Sequence, residues 1–133
     1  MAGDRFGQHS QGIRMPFGPC GLITPFNFPF EIPGLQLMGG IMAGNKMLIK
    51  GDSRVSIVTE QLVHDLLECG LPAEYVNLVH ADKANSGHLF EQLADTLRVV
   101  QFTGSSRVAE TLMKTFNGKV RIEDRYNTFR YLF

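Results

Sequence analysis

The sequence predicts an α/β fold built on a doubly wound parallel sheet, and three observations carry that prediction. Short apolar runs alternate with segments of helical periodicity along most of the 133 residues, the pattern of helices wrapped around a parallel sheet. The runs are continuously apolar, as strands covered on both faces must be. Glycines and small polar residues mark the points where one kind of element gives way to the next.

Residues 21–24 form the first expected strand, and residues 31–43 the first helix. Pro33 is tolerated in the first turn of that helix, and Gly44-Asn45 follow at its C-terminal cap. Residues 47–50 make the second strand, closed by Gly51. Asp52 or Ser53 can then cap a helix that carries Val58, Leu62, Leu66 and Cys69 on one face. Gly70 stops it, and Leu71-Pro72 bars its continuation. A third strand is expected at 75–79, and a third helix opens at Asn85 or Ser86 with Leu89, Phe90 and Leu93 facing inward. The fourth strand, 99–103, ends at Gly104; Ser105 can cap a helix carrying Val108, Leu112 and Phe116, which Gly118 ends. Val120 to Glu123 is the fifth strand. Residues 1–15 read as a loop segment, 16–124 as the domain, and 125–133 (RYNTFRYLF) as a tail without helical pattern.

Composition narrows the function classes. A chain of this length makes one domain and buries roughly two-thirds of its surface. Thirteen basic and thirteen acidic residues cancel, so no nucleic-acid or acidic-membrane partner is expected. No apolar run approaches the ~20 residues that cross a bilayer. Residues 1–15 lack the apolar core of a signal peptide and are too mixed for a transit peptide, so no presequence is visible. Cys20 and Cys69 are expected as two buried thiols rather than a disulfide. His9, His64, His80 and His88 have no metal-ligand spacing, so no metal site is expected.

In such sheets ligands bind beyond the carboxyl ends of the strands. The segments to inspect are therefore 25–29, 50–53, 80–85, 104–106 and 123 onward. Gly104-Ser105-Ser106 leave a strand and enter a helix N-terminus, which is either a tight capped turn or a phosphate site. Lys50 ends a strand where its ammonium could reach a ribose hydroxyl or phosphate, or simply be solvated. Asn27, between Phe26 and Phe28 and inside Pro25 and Pro29, either ties down a turn or presents a rigid neutral donor to a developing oxyanion. Glu123, at a strand end, is a solvated carboxylate or a general base. Neither G-x-G-x-x-G nor a true P-loop occurs: in the stretch from Gly39 to Lys46, Asn45 stands where Lys is required. The glycines there are expected to let a helix pack close to the sheet.

Taken together, "GPCGLITPFNFPFEIP", "AGNKMLIK", "ECGLPAEYVNLVHAD", "VVQFTGSSRVAE" and "KVRIED" resemble, in order, the first part of the cofactor domain of the aldehyde dehydrogenase superfamily. The wording is most similar to the plant-type Δ1-pyrroline-5-carboxylate dehydrogenases. The resemblance spans about residues 8–124 and implies a Rossmann-like NAD(P)-binding half-domain, truncated relative to a full family member. It implies NAD or NADP as cofactor and a nicotinamide dinucleotide as partner. Asn27 would be the oxyanion-stabilising amide and Glu123 the base that activates the deacylating water. Ile23, Thr24, Pro25 and Phe26 would form the wall along the cofactor. Lys50 would hold the adenosine ribose, Gly104 and Ser105 would contact phosphate, and Val108 would lie beside the adenine.

The sequence also departs from that family. Ser53 stands where many relatives carry a Glu for the ribose hydroxyls, which leaves NAD and NADP open. Phe26 replaces the usual Trp, and Asp124-Arg125-Tyr126-Asn127 replace a Leu-Gly-Gly turn. The family's nucleophilic cysteine lies beyond the glutamate and is absent here; neither Cys20 nor Cys69 matches it. The reaction implied for a full-length relative is oxidation of glutamate γ-semialdehyde to glutamate in proline breakdown, in mitochondria by resemblance, with a cytoplasmic location also open. The alternative expectation is a non-catalytic product that binds nucleotide weakly or docks on full-length aldehyde dehydrogenase subunits.

Overall fold

Four of the expected apolar runs and the segment after the fourth helix become the strands of one sheet: β1 (Pro19–Ile23), β2 (Lys46–Lys50), β3 (Val76–Leu78), β4 (Val99–Phe102) and β5 (Arg121–Asp124). The computed structural model describes residues 7, 9, 11–117 and 121–124. All pairings are parallel and the spatial order is β3-β2-β1-β4-β5. Helices α1 (Glu31–Met42), α2 (Ser56–Glu68), α3 (Lys83–Leu93) and α4 (Ser106–Phe116) make the connections. The first two steps carry the chain outward from β1 to β3. The α3 connection then returns it to the other side of β1, which reverses the winding.

Two apolar cores follow from the period-two alternation of strand side chains. On one face Cys20, Leu22, Met47, Ile49 and Val76 pack with Leu37 of α1 and Leu62 and Val63 of α2. On the other, Val100 and Phe102 pack with Phe90 of α3 and Ala109, Leu112 and Phe116 of α4. Phe90 and Phe116 meet edge to face, with centroids 6.2 Å apart and rings inclined by 72°. Each wholly buried Leu, Ile or Phe stabilises the fold by roughly 1.5–3 kcal/mol. Leu22, Leu37, Ile49, Val100 and Phe116 are therefore the main anchors. Gly40 lets α1 approach β2, because a Cβ there would run into the sulfur of Met47. The expectation for that glycine stretch holds at this position.

Element ends differ from the sequence expectations for local reasons. β1 starts at Pro19, which can open a strand because no ladder donor is needed there. Neither Asp52 nor Ser53 caps α2: its N-cap is Val55, which makes no side-chain bond. The Asp52 carboxylate instead accepts from the backbone N–H of Arg54 at 3.0 Å. Pro72 leads into a single 3₁₀ turn at Ala73–Tyr75, which shortens β3. α3 opens two residues before Asn85 because Asp82 caps it, accepting from Asn85 N–H at 2.8 Å. Ser105 is the N-cap of α4, although its hydroxyl makes no capping bond. Asn117, in the left-handed region at φ 44°, ends that helix. Gly118, Val120 and the tail 125–133 lie outside the described residues.

The expectation of two buried thiols is half right. Cys20 is buried, but Cys69 is exposed, and no disulfide joins them. Cys69 is the C-cap of α2, just before Gly70 turns the chain at φ 96°. The inward positions of that helix are Thr59, Leu62 and Val63. Among the described residues no helix is long and apolar enough to cross a membrane.

Candidate functional site

The winding reverses between β1 and β4, and in open α/β sheets the carboxyl ends of the strands at such a reversal frame the ligand crevice. Register sets the row there: Ile23 stands beside Lys50 on one side and Phe102 on the other, and Phe102 stands beside Asp124. One residue further on, Thr24 N–H donates to the Lys50 carbonyl at 3.2 Å and Thr103 N–H to the Ile23 carbonyl at 3.0 Å. Both threonines are buried. Gln36 of α1 donates from Nε2 to Thr103 Oγ1 at 2.9 Å, which ties the helix to the end of β4. Thr24 Oγ1 and Gln36 Oε1 are buried without a hydrogen-bond partner among the described residues.

From this floor the 24–30 loop climbs into solvent. Pro25 and Pro29 are half-buried, whereas Phe26, Asn27 and Phe28 are exposed. The Asn27 side chain hydrogen-bonds to no described residue, so its amide is available to a ligand. Pro25 and Pro29 fix their own φ and so restrict the backbone of the loop that carries it.

On one flank, Lys50 is half-buried at the end of β2 and Ser53 is exposed in the following loop. Beside them the Arg54 fork grips Asp52, Nε to Oδ1 at 2.9 Å and Nη2 to Oδ2 at 3.0 Å. The Arg54 hydrogen bond is the chief cause that holds the Asp52 carboxyl down at about 2, with a further pull from Lys50. The guanidinium carbon of Arg54 also sits 3.8 Å over the centroid of the Phe26 ring.

On the other flank, Gly104 turns the chain out of β4; a Cβ there would strike the ring of Phe102. Ser105 follows at the N-terminus of α4, and Val108 is half-buried against the second core. Glu123 lies in β5 opposite Gln101, one row back from the carboxyl edge.

The fold thus gathers Ile23, Thr24, Pro25, Phe26 and Asn27 in the centre, Lys50 and Ser53 on one side, and Gly104, Ser105 and Val108 on the other. Glu123 is separated from β1 by β4. A half-buried cation and a helix N-terminus at the same end of the sheet suit a ligand that carries phosphate. Among the described residues no group of three metal-ligating side chains exists. Gln36, Arg54 and Thr103 are not among the residues the sequence singles out, and Asp52 is read there only as a helix cap. A lone glutamine on an apolar helix and an Asp-x-Arg just past a strand were the available signals.

The profile of the aldehyde dehydrogenase family matches residues 3–123. This chain belongs to the aldehyde dehydrogenase family. The mitochondrial Δ1-pyrroline-5-carboxylate dehydrogenase 12A1 of Arabidopsis thaliana is 50% identical to it over 124 residues, 93% of this chain and 22% of that protein. A proline utilization A protein of Bradyrhizobium japonicum superposes with a TM-score of 0.76 at 26% identity, over 82% of this chain and 12% of the other. A Sinorhizobium meliloti structure of the methylmalonate-semialdehyde dehydrogenase type, solved in complex with NAD, gives a TM-score of 0.75 at 32% identity, over 84% of this chain and 22% of the other. The chain therefore spans less than a quarter of these relatives, and the α/β fold expected from the sequence is that of solved aldehyde dehydrogenases. Members of this family act on aldehydes with nicotinamide dinucleotides, and the switch-point crevice is the part of the aldehyde dehydrogenase fold represented here.

Proposed function

We propose that this chain provides the dinucleotide half-site and the oxyanion donor of an aldehyde dehydrogenase that oxidises glutamate γ-semialdehyde to glutamate. The observation that supports it best is the convergence of Lys50, the Asn27 loop and the Gly104-Ser105 turn on one crevice at the switch point. The substrate class rests on the likeness to the Arabidopsis enzyme, whose mitochondrial location is proposed here as well. Lys50 and Ser53 hold the adenosine ribose, and the α4 N-terminus at Ser105 faces phosphate. Ile23, Thr24, Pro25 and Phe26 line the cofactor wall, and Val108 lies beside the adenine. A bound nicotinamide would supply the hydride acceptor for the carbonyl carbon once a thiol outside this chain has added to it.

The residues of this chain do the rest. Asn27 donates an N–H to the substrate oxygen as negative charge builds on it, and its proline frame removes the cost of reorienting the amide at that moment. Glu123 takes a proton from the water that releases the product. The attacking thiol is neither of the two cysteines. Cys20 is enclosed in the core, and Cys69 ends a helix that runs antiparallel to the strands, so it lies at the opposite edge of the sheet from the crevice.

Thermal unfolding of the 133-residue chain with NAD⁺ and NADP⁺, alongside Lys50→Ala, tests the reading. A stabilisation that Lys50→Ala removes supports it, since a ligand that binds only the folded state raises stability by mass action. Equal melting with and without either dinucleotide rejects it. The dinucleotide that gives the larger shift is the one that Ser53, with no carboxylate, admits.

A further inference from the structure

Phe26 is half exposed, yet its ring is not idle: the Arg54 guanidinium carbon lies 3.8 Å above its centroid. Phe26 immediately precedes Asn27 in the loop after β1, whereas Arg54 belongs to the loop after β2, four residues beyond Lys50. Arg54 cannot drift off the ring freely. Its Nε and Nη2 both grip the Asp52 carboxylate, and its own backbone N–H donates to the same carboxylate. A planar fork held in two places presents one face in a fixed direction. That face is the one on which Phe26 rests.

The two loops are thereby joined twice. The inner tether is the backbone bond from Thr24 N–H to the Lys50 carbonyl at 3.2 Å. The outer one is the stack of Arg54 on Phe26. Between them lies Pro25, and next to the outer one lies Asn27, whose amide has no hydrogen bond of its own among the described residues. Without a hydrogen bond to set its direction, the amide is aimed by the backbone on which it stands, and the adjoining residue of that backbone, Phe26, carries the Arg54 stack.

We propose that Arg54 is a positioning residue: through Phe26 it fixes the Asn27 loop relative to the Lys50 loop, so that the two ends of the crevice are held at one spacing. A ligand that touches both ends feels that spacing, and one that touches only the Lys50 end does not. This rests on the cofactor-site reading given above, and two probes separate the failures.

The experiment uses the whole chain and three variants: Arg54→Gln, Arg54→Lys and Phe26→Leu. Calorimetric titration compares NAD⁺ with 5′-AMP, which carries only the adenosine half. Arg54→Gln is expected to raise Kd for NAD⁺ about three- to five-fold, the size of an exposed cation–π contact, and to leave Kd for 5′-AMP unchanged. Arg54→Lys, which keeps a cation without the fork, is expected to fall between. Phe26→Leu, which also alters the cofactor wall, is expected to weaken NAD⁺ at least as much as Arg54→Gln, with the double variant no worse than Phe26→Leu alone. Equal weakening of NAD⁺ and 5′-AMP, or additive effects of the two single variants, overturns the proposal.

A ligand-free readout stands beside this. The heteronuclear NOE of the Asn27 backbone and side-chain amides is expected to drop in Arg54→Gln and to recover partly in Arg54→Lys; unchanged order at Asn27 overturns the proposal. Should the unaltered chain bind neither NAD⁺ nor 5′-AMP, the cofactor-site reading fails, and the Asn27 amides still decide the role of Arg54.

Discussion

Gln36 and Thr103 stand 67 positions apart in the sequence and meet in a buried hydrogen bond of 2.9 Å between Nε2 and Oγ1. The bond joins the first helix to the strand on the far side of the winding reversal, at the floor of the crevice. Gln36 keeps a second buried polar atom, Oε1, without a partner among the described residues. An amide in that position depends on the one bond it has.

Removing the acceptor should therefore cost more than removing the pair. Thr103→Val leaves the Gln36 amide buried and unpaired, and should destabilise the chain by about 1–3 kcal/mol in urea titrations. Gln36→Met combined with Thr103→Val removes both polar groups at similar volume and should recover most of that loss. A double variant as unstable as Thr103→Val alone would show that packing, not the hydrogen bond, holds α1 to β4.

The cysteines should separate cleanly in a thiol-labelling assay. Cys69 is exposed and should react with a disulfide reagent in the native state. Cys20 is buried, its sulfur 3.4 Å from the Gly18 carbonyl, and should react only on unfolding. Two native-state equivalents of fast label would contradict the placement of β1 within the core.

Much of this fold was legible because parallel strands announce themselves as unbroken apolar runs. Leu22, Ile49 and Val100 sit in such runs and are all wholly buried. Helix starts were harder to read, because several short polar residues competed for each cap. Asp52 looked like a cap, but its carboxylate is taken by Arg54, and Asp82 rather than Asn85 or Ser86 opens α3. The switch-point loops were found from topology alone. Contacts across those loops, Arg54 on Phe26 and Gln36 on Thr103, depend on tertiary register that no local pattern encodes.

Gly104 and Gly39 offer a contrast at glycines of opposite kinds. An alanine at 104 would collide with the ring of buried Phe102, whereas one at 39 would meet open space on an exposed turn of α1. Gly104→Ala should thus cost about 1–3 kcal/mol, as overpacked sites do. Gly39→Ala should gain roughly 0.5–1 kcal/mol from the lower entropy of the unfolded helix segment. Paired chemical denaturation curves measure both, and a neutral Gly104→Ala would mean that the Phe102 ring swings aside.

The acid limb of stability should carry a signature of Asp52. Its carboxyl is held down from 3.8 to about 2, first by the hydrogen bond from Arg54 and also by Lys50. A depressed carboxyl contributes stability that is fully present above its unfolded value and lost as pH falls through the folded one. Unfolding free energy should then be level in this respect above about pH 4 and decline between pH 4 and 2. The pair lies at the surface, where solvent screens it, so the amplitude should stay below about 1 kcal/mol. It should shrink further in 1 M salt, where the screening length falls to roughly 3 Å. Asp52→Asn should remove this part of the pH profile and, by freeing the Arg54 fork, loosen the ring contact with Phe26. Denaturation curves between pH 2 and 5 for both proteins make the comparison. Identical slopes would mean that Arg54 holds Asp52 no more tightly when folded than when unfolded, and the geometry of the clasp would have to be reassigned.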